Sequence, residues 1–249
     1  MTKALILAAG EGTRLRPLTL QRPKPMLPIK GKPLLEYTVG WLRSHGVDQI
    51  AMNLHYKPET ILEHFGDGRA FGVELTYSHE RELLGTAGAV RSLKTFLEDD
   101  GPFVLVYGDV LTDLDLGQLL QFHRQAVQRD PSARITLSLY SVPNPTEVGL
   151  VDLAPDGKVL RFVEKPKAEE VFTDLANAGV LVIEPSVIEH IPADTFYDFG
   201  HDLFPKLLAA GESIYGWKIP DGTYLLDIGS PEKYAQAQQD APIEAGHLS

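Results

Sequence analysis

The chain has 249 residues, no cysteine, and 43% hydrophobic positions, enough to bury a core in one or two domains but with no means of building a disulfide framework or a cysteine metal site. Its formal net charge of −11 opposes nucleic-acid binding. No stretch approaches the roughly 18 apolar residues of a membrane span, and the run Ala4–Ala9 is too short for a signal-peptide core, so a cytoplasmic protein with no membrane partner is expected.

Lys3–Ala8 reads as a strand buried on both faces, because its apolar run is continuous rather than alternating. A glycine-rich turn follows. Pro33 suits the first turn of a helix whose apolar positions are Leu34, Leu35, Val39 and Leu42, ending near Gly46. The pattern then predicts a strand at Gln49–Asn53, a helix from Pro58 to Phe65, a strand at Val73–Ser78 and a helix over Thr86–Leu97. Phe103–Tyr107 is the next buried strand, and a helix runs from about Leu116 to Arg129. Strands dominate afterwards: Arg134–Val142 with alternating polarity, then Gly149–Leu153 and Lys158–Val163 as a hairpin around Ala154-Pro155-Asp156-Gly157. Ala178–Ile183, Ile214–Ile219 and Tyr224–Asp227 read as strands. Pro185–His190, Phe199–Ala210 and Pro231–Gln239 read as helices. Alternating strands and helices imply an α/β fold. The expectation is a three-layer, Rossmann-like, mainly parallel sheet with helices on both faces, in a single domain over 1–239, with a smaller strand-rich subregion after about residue 110 and a loose tail over 240–249.

The strongest local signal is Leu7-Ala8-Ala9-Gly10-Glu11-Gly12-Thr13-Arg14-Leu15-Arg16-Pro17-Leu18-Thr19, at the carboxyl end of the first strand, where open α/β sheets bind ligands. Small residues let the backbone approach a phosphate, and Arg14 adds a permanently charged donor fork. It is not a Walker loop, which needs Gly-Lys-Ser/Thr, nor a dinucleotide fingerprint, which needs a small residue where Leu15 stands. Seven cations face a single Glu11 within residues 1–34, a local surplus suited to a small polyanion. Among them Lys24, in Arg22-Pro23-Lys24-Pro25-Met26-Leu27-Pro28, stands between two prolines that are expected to hold it on a stiff, extended segment.

Gly-x-Gly-Thr-Arg-Leu-x-Pro-x-Thr followed by Pro-Lys-Pro-Met-Leu resembles the signature of the sugar-phosphate nucleotidyltransferases, the enzymes that make nucleotide-sugars, and the resemblance runs to about Gln239. It implies a nucleotide-binding part over about 1–110 and a sugar-binding part over about 111–239. Leu7, Ala8, Ala9, Gly10, Gly12, Thr13, Arg14 and Lys24 would meet the nucleotide. Asp109, in Gly108-Asp109-Val110, and Asp227 would hold Mg²⁺ on the triphosphate, since that ion prefers carboxylates and phosphates. Asp109, Gly149, Glu164, Lys165 and Asn177 would serve the sugar phosphate, with Glu164 on a hydroxyl and Lys165 on the phosphate. Arg14, Lys24 and Lys165 are the expected catalytic charges.

Glu80-Arg81-Glu82-Leu83-Leu84-Gly85-Thr86 resembles the family's base-recognition segment, in which Gly85 and Thr86 would lie against the base. Relatives that use uridine or thymidine nucleotides resemble one another in a glutamine at position 80. A carboxylate only accepts hydrogen bonds and therefore matches guanine, whose N1–H and exocyclic amine are adjacent donors. This favours GTP and, with it, mannose 1-phosphate. The alternatives are UTP or dTTP with glucose 1-phosphate or an amino-sugar phosphate, and a non-catalytic nucleotide-sugar-binding subunit. No hexapeptide repeat of the kind some relatives carry follows the domain, so acyl transfer is not expected. The histidines show no ligand spacing, and homo-oligomerisation is compatible with the sequence.

Overall fold

The protein is described as a computed structural model covering residues 2–98 and 101–241; the expected tail lies outside the described residues from 242 onward. In chain order it contains β1 (Ala4–Leu7), single 3₁₀ turns at Thr13–Leu15, Leu18–Leu20 and Lys24–Met26, and the short strands β2 (Pro28–Ile29) and β3 (Lys32–Pro33). Then come α1 (Leu34–Ser44), β4 (Gln49–Leu54), α2 (Pro58–Phe65) and β5 (Glu74–His79). Next are α3 (Gly85–Ser92), α4 (Lys94–Leu97), β6 (Phe103–Tyr107), β7 (Val110–Thr112) and α5 (Leu116–Arg129). The chain continues with β8 (Ala133–Ser141), β9 (Gly149–Leu153), β10 (Val159–Glu164) and β11 (Leu175–Ile183). It closes with α6 (Phe204–Ala209), β12 (Ser213–Lys218), β13 (Leu225–Asp227) and α7 (Pro231–Asp240). The contacts group into two units. One takes the chain up to Leu83, Val106–Leu114 and the residues from Gly222 onward; the other takes Leu84–Leu105 and Asp115–Asp221.

The first unit is built on parallel strands. β1 pairs with β4, Ala4 opposite Ile50 and Leu7 opposite Asn53, and β4 pairs with β5 from Gln49 opposite Glu74 to Leu54 opposite His79. Nearly every side chain of β1 and β4 is buried, as expected of strands covered on both faces. The helix α1 buries Leu34, Leu35, Val39 and Leu42 as its spacing predicts, and Gly46 stands just past its end at φ +77°. The indole of Trp41 donates to the Leu114 carbonyl at 2.9 Å, a structural role. A second ladder, β7 antiparallel to β13, sets Asp227 opposite Val110. Its apolar side joins Leu15, Leu27, Ile29 and Leu34 in one cluster.

The helix α7 closes over that cluster and clamps the β2–β3 hairpin. Tyr234 donates its hydroxyl to the Pro28 carbonyl at 2.8 Å, Lys30 N–H donates to the Gln238 side chain at 2.9 Å, and the Lys30 ammonium donates to the Ala241 carbonyl at 2.8 Å. One helix therefore holds both β13, which ends in Asp227, and the hairpin that follows Lys24.

The second unit is the strand-rich part. β9 and β10 form the expected hairpin, with Gly157 N–H on the Ala154 carbonyl. β11 runs antiparallel to β8, β8 parallel to β12, and Ala176 of β11 pairs with Leu150 of β9. The helix α5 is capped by the Asp115 side chain on Gln118 N–H and buries Leu116, Leu119, His123 and Ala126. His123 is satisfied there by Thr136 and Glu184, consistent with a packing role.

Three local expectations change. The helix foreseen over Thr86–Leu97 breaks into α3 and α4 at Leu93, whose N–H reaches the carbonyls of Val90 and Arg91 and tightens the turn. The Pro-Lys-Pro segment is a 3₁₀ turn rather than an extended strand: Met26 N–H bonds to the Pro23 carbonyl and Leu27 N–H to that of Lys24. The fixed φ of proline suits that turn as well as an extended chain. The helix foreseen over Phe199–Ala210 opens with a π turn, Phe199–Leu203, before α6.

Replacing Tyr234 by Phe should cost about 1 kcal/mol of unfolding free energy, the usual net worth of one hydrogen bond. Urea titration of both proteins checks this, and identical midpoints would show that the phenol does not hold the helix in place.

Candidate functional site

In the first unit the loop after β1 turns at Gly12, whose φ of +70° and ψ of 42° are cheap only for glycine. A Cβ there would come within 2.7 Å of the Lys24 Cβ, so the missing side chain also gives the lysine stem its path. Thr19 fixes the turn by donating to the Gly12 carbonyl at 3.0 Å. The Lys24 ammonium is bonded to the Asp109 carboxylate. Asp109 is placed by its neighbour: Gly108 N–H donates to the Leu7 carbonyl at 3.0 Å, and a Cβ at Gly108 would lie 2.5 Å from that same oxygen.

The second carboxylate lies on the adjoining ladder. Ile228 N–H donates to the Asp109 carbonyl at 3.0 Å, joining the two strand ends that carry Asp109 and Asp227. The Asp227 carboxylate is bonded to the Lys233 ammonium and accepts Gly229 N–H at 3.0 Å. Arg14 is exposed, with its guanidinium 3.6 Å from where a Gly229 Cβ would stand. The structure thus gathers Gly12, Lys24 and Asp109 at one place and Arg14 beside Gly229 and Asp227. Lys233 was not anticipated; its position one turn into α7, after the Ser230 cap, is the only signal the sequence offered. Among the described residues, no group of three or more His, Cys, Asp or Glu side chains gathers as a metal site.

Leu7, Ala8 and Ala9 lead from β1 into the loop, and Gly10 has open space where its Cβ would be. Thr13 is exposed. Glu80 is 4% exposed, not solvent-facing, and accepts a 2.9 Å bond from the Asn53 amide. Glu80 N–H donates to the Leu54 carbonyl, and His55 lies 2.9 Å from the Glu80 carbonyl. Tyr56 donates to the Thr19 carbonyl at 3.0 Å. The end of β4 is thereby tied to both the glycine loop and Glu80, a bracket that sequence reasoning missed because its residues look like ordinary strand and turn.

The second unit carries the other expected residues. Gly85 stands at φ +75°, and a Cβ on it would meet the Tyr197 carbonyl at 2.6 Å. Thr86 donates to Asp198 at 2.8 Å and accepts Phe199 N–H at 2.9 Å. The Asp198 side chain also accepts Gly200 N–H. Glu164 lies opposite Gly149 across β9 and β10. Its carboxylate sits 2.6 Å from where a Gly149 Cβ would stand and 2.8 Å from a Cβ at Gly200. Segment 197–200 therefore links Gly85 and Thr86 to Glu164. Asp198 and Gly200 were missed, although an aspartate ahead of a helix is a recognisable cap.

Burial pushes the Glu164 carboxyl above the ordinary glutamate value; Lys165 pulls it back, Asp198 pushes it further up, and His201 again lowers it. Lys165 stands at φ +45°, a left-handed backbone that costs a non-glycine residue of order 1 kcal/mol or more. Its side chain is 63% exposed, with the ammonium 3.9 Å from Glu164. Asn177 accepts Gly179 N–H at 3.1 Å, at a bulge where the β11–β8 register shifts between Asn177 and Leu181. Bulges re-aim side chains.

Residues 3–243 match the family described as Nucleotidyl transferase, and the chain belongs to that family. It is 40% identical to a UTP–glucose-1-phosphate uridylyltransferase of Synechocystis sp., over 94% of this chain and 62% of the relative. It is 39% identical to a mannose-1-phosphate guanylyltransferase of Mycobacterium tuberculosis, over 95% and 64%. The chain thus spans a little over three fifths of those relatives' length. The crystal structure of HddC from Yersinia pseudotuberculosis complexed with GMP-PN superposes with a TM-score of 0.78 at 28% identity, covering 96% of this chain and 98% of that one. The fold is that of the family, a mixed, mostly parallel sheet with helices. No helix among the described residues is long and apolar enough to cross a membrane.

A carboxyl with a raised folded pKa keeps its proton to higher pH when folded than when unfolded. The fold therefore loses stability as pH rises between the two values, and the loss persists above them. Glu164→Gln should melt above wild type at pH 7 and lose that advantage below the ordinary glutamate value of 4.5; melting curves at pH 4 and 7 test this, and a pH-independent difference would contradict it. Lys165→Gly should leave stability within about 1 kcal/mol of wild type, strain relief offsetting chain entropy; a loss well beyond that in urea titration would show that the side chain holds the fold.

Proposed function

We propose that the protein transfers a nucleotidyl group from a nucleoside triphosphate to a sugar 1-phosphate and releases pyrophosphate, with GTP and mannose 1-phosphate as the favoured pair. The observation that carries this reading is the Lys24–Asp109 pair set against Gly12, in the same unit as Arg14, Asp227 and Lys233. It supplies fixed cations and hard oxygen donors beside a loop of small residues, which is what a triphosphate and its counter-ion require. On this reading residues up to about 110, together with Asp227 and Lys233, serve the nucleotide and the rest of about 111–239 the sugar, in an enzyme of the cytoplasm.

A phosphate oxygen of the sugar 1-phosphate attacks the α-phosphorus in line, a new P–O bond forms, and the bond to the bridging oxygen breaks with its electron pair leaving on pyrophosphate. The attacking group is already anionic at neutral pH, so no general base is needed, and the protein contributes positioning and charge. Arg14 and Lys24 neutralise the leaving pyrophosphate and the α-phosphoryl group. Lys165 binds the sugar phosphate and offsets its repulsion from the triphosphate. Glu164 and Asn177, with the backbone at Gly149, orient the sugar. Leu7 to Gly10, Gly12 and Thr13 offer backbone to the phosphates, and Gly85 and Thr86 lie against the base. The donor set suits Mg²⁺: two carboxylates without a third leave room for water and phosphate oxygens, as that ion prefers. Held by Asp109 and Asp227, Mg²⁺ would supply charge neutralisation on the triphosphate.

The choice of GTP rests on Glu80. A buried carboxylate only accepts, matching the paired donors of guanine, whereas the carbonyls of uracil would set acceptor against acceptor. The M. tuberculosis relative is named for the same chemistry. A second reading, UTP with glucose 1-phosphate, is favoured by the name of the Synechocystis relative. A matrix of four nucleoside triphosphates against mannose, glucose, N-acetylglucosamine and heptose 1-phosphates, read by released pyrophosphate, should give the highest kcat/KM for GTP with mannose 1-phosphate. Lys24→Ala should lower turnover by about a hundredfold or more. Near-wild-type turnover in that variant would overturn the assignment, and silence across the matrix would overturn the activity.

A further inference from the structure

The Asn53 side chain is buried, 4% exposed, and bonded at both ends. Its Oδ1 accepts the Ala8 N–H at 2.9 Å and its Nδ2 donates to Glu80 Oε1 at 2.9 Å. The Ala8 bond leaves no freedom in the amide's orientation, because a backbone N–H can only donate and only Oδ1 can receive it. Nδ2 must then face residue 80, and it can only donate. The first atom of residue 80 is therefore compelled to be an acceptor, and the second atom of its terminal group is what residue 80 offers to every other neighbour. With glutamate that second atom is again an acceptor. With glutamine in the same place the carbonyl is drawn to Asn53 and the second atom becomes an amino donor.

We propose that Asn53 is a positioning residue that sets nucleotide selectivity: anchored on Ala8, its amide fixes which face of residue 80 is presented, so that glutamate offers an acceptor there. The proposal rests on the reading that residue 80 faces the base edge. It adds that selectivity belongs to the pair of positions 53 and 80 and not to position 80 alone. The same amide holds the first residue beyond β1, so the loop's backbone and the base-reading carboxylate share one fixed point at the end of β4.

The pair can be inverted without changing its size or net charge. In Asn53→Asp with Glu80→Gln, one oxygen of residue 53 still accepts Ala8 N–H and the other accepts the glutamine amino group. That turns the glutamine carbonyl outward and restores an acceptor. The measurement is the ratio of kcat/KM for GTP over UTP, with melting temperature followed alongside. Glu80→Gln alone should lower the ratio by about tenfold or more, as expected when buried polar groups are mismatched, and the double variant should bring it back to within about threefold of wild type. A purely structural role for Asn53 would change melting but not this ratio.

If the ratio falls in Glu80→Gln and stays low in a double variant that melts near wild type, Asn53 does not set the orientation, and base reading by Glu80 stands alone. If Glu80→Gln leaves the ratio unchanged, or GTP is not used, the base reading fails and this proposal with it. If Glu80→Gln does not fold, the double variant decides: a ratio within about threefold of wild type supports the proposal, and one about tenfold lower overturns it.

Discussion

Lys24 and Asp109 lie 85 positions apart in the chain, and the contact between them exists because three glycines and one helix leave it nowhere else to form. Gly12 clears the path of the lysine stem. Gly108 brings its backbone onto the end of β1 and so fixes the residue after it. Gly229 turns the chain at Asp227, where a Cβ would fall 2.6 Å from that carboxylate. The helix α7 then locks the β2–β3 hairpin through Tyr234 and Gln238. An ion pair of partly exposed groups stabilises a fold little in itself. Its value lies in being held where the fold has already met the cost of ordering both chains.

The second unit handles charge differently. Glu164 has glycines on two sides, Gly149 and Gly200, and burial raises its pKa. A carboxylate kept in such a slot costs stability, and Lys165 adds a strained backbone next to it. Two unfavourable features on adjacent residues are hard to explain as packing. They fit a site that holds groups ready for a ligand, since strain of this kind persists only where the surroundings impose it.

The sequence made the regular framework readable because periodicity reports burial directly. The continuous apolar run of β1, the register of α5 from Leu116 to Arg129 and the hairpin around Gly157 all follow from spacing and turn chemistry. The glycine loop, Lys24 and Asp109 could be singled out because their residue types are unusual in those places. What stayed hidden depends on contacts distant in sequence. Lys24–Met26 forms a 3₁₀ turn that two prolines permit but do not dictate. Asn53 looks like one more strand residue until β1 is laid beside β4, with Leu7 opposite Asn53. Asp198 reads as a helix cap, and only the fold brings Thr86 to it. Lys233 reads as a solvated helix charge until β13 sets Asp227 below it.

The two acids of the first unit each have their own lysine, Asp109 with Lys24 and Asp227 with Lys233. Each pair is close to neutral at a distance, so these four groups exert little long-range field of their own. Arg14 has no such ion-pair partner among the described residues, and it stands at the exposed end of the loop. For an arriving polyanion the uncompensated pull comes from the guanidinium, while the lysines act only at contact range, where the local dielectric is low and their charge counts for most. An acidic protein can in this way present a site for a more acidic ligand. Net charge governs the approach from afar, and paired charges held by glycine turns govern what happens on arrival.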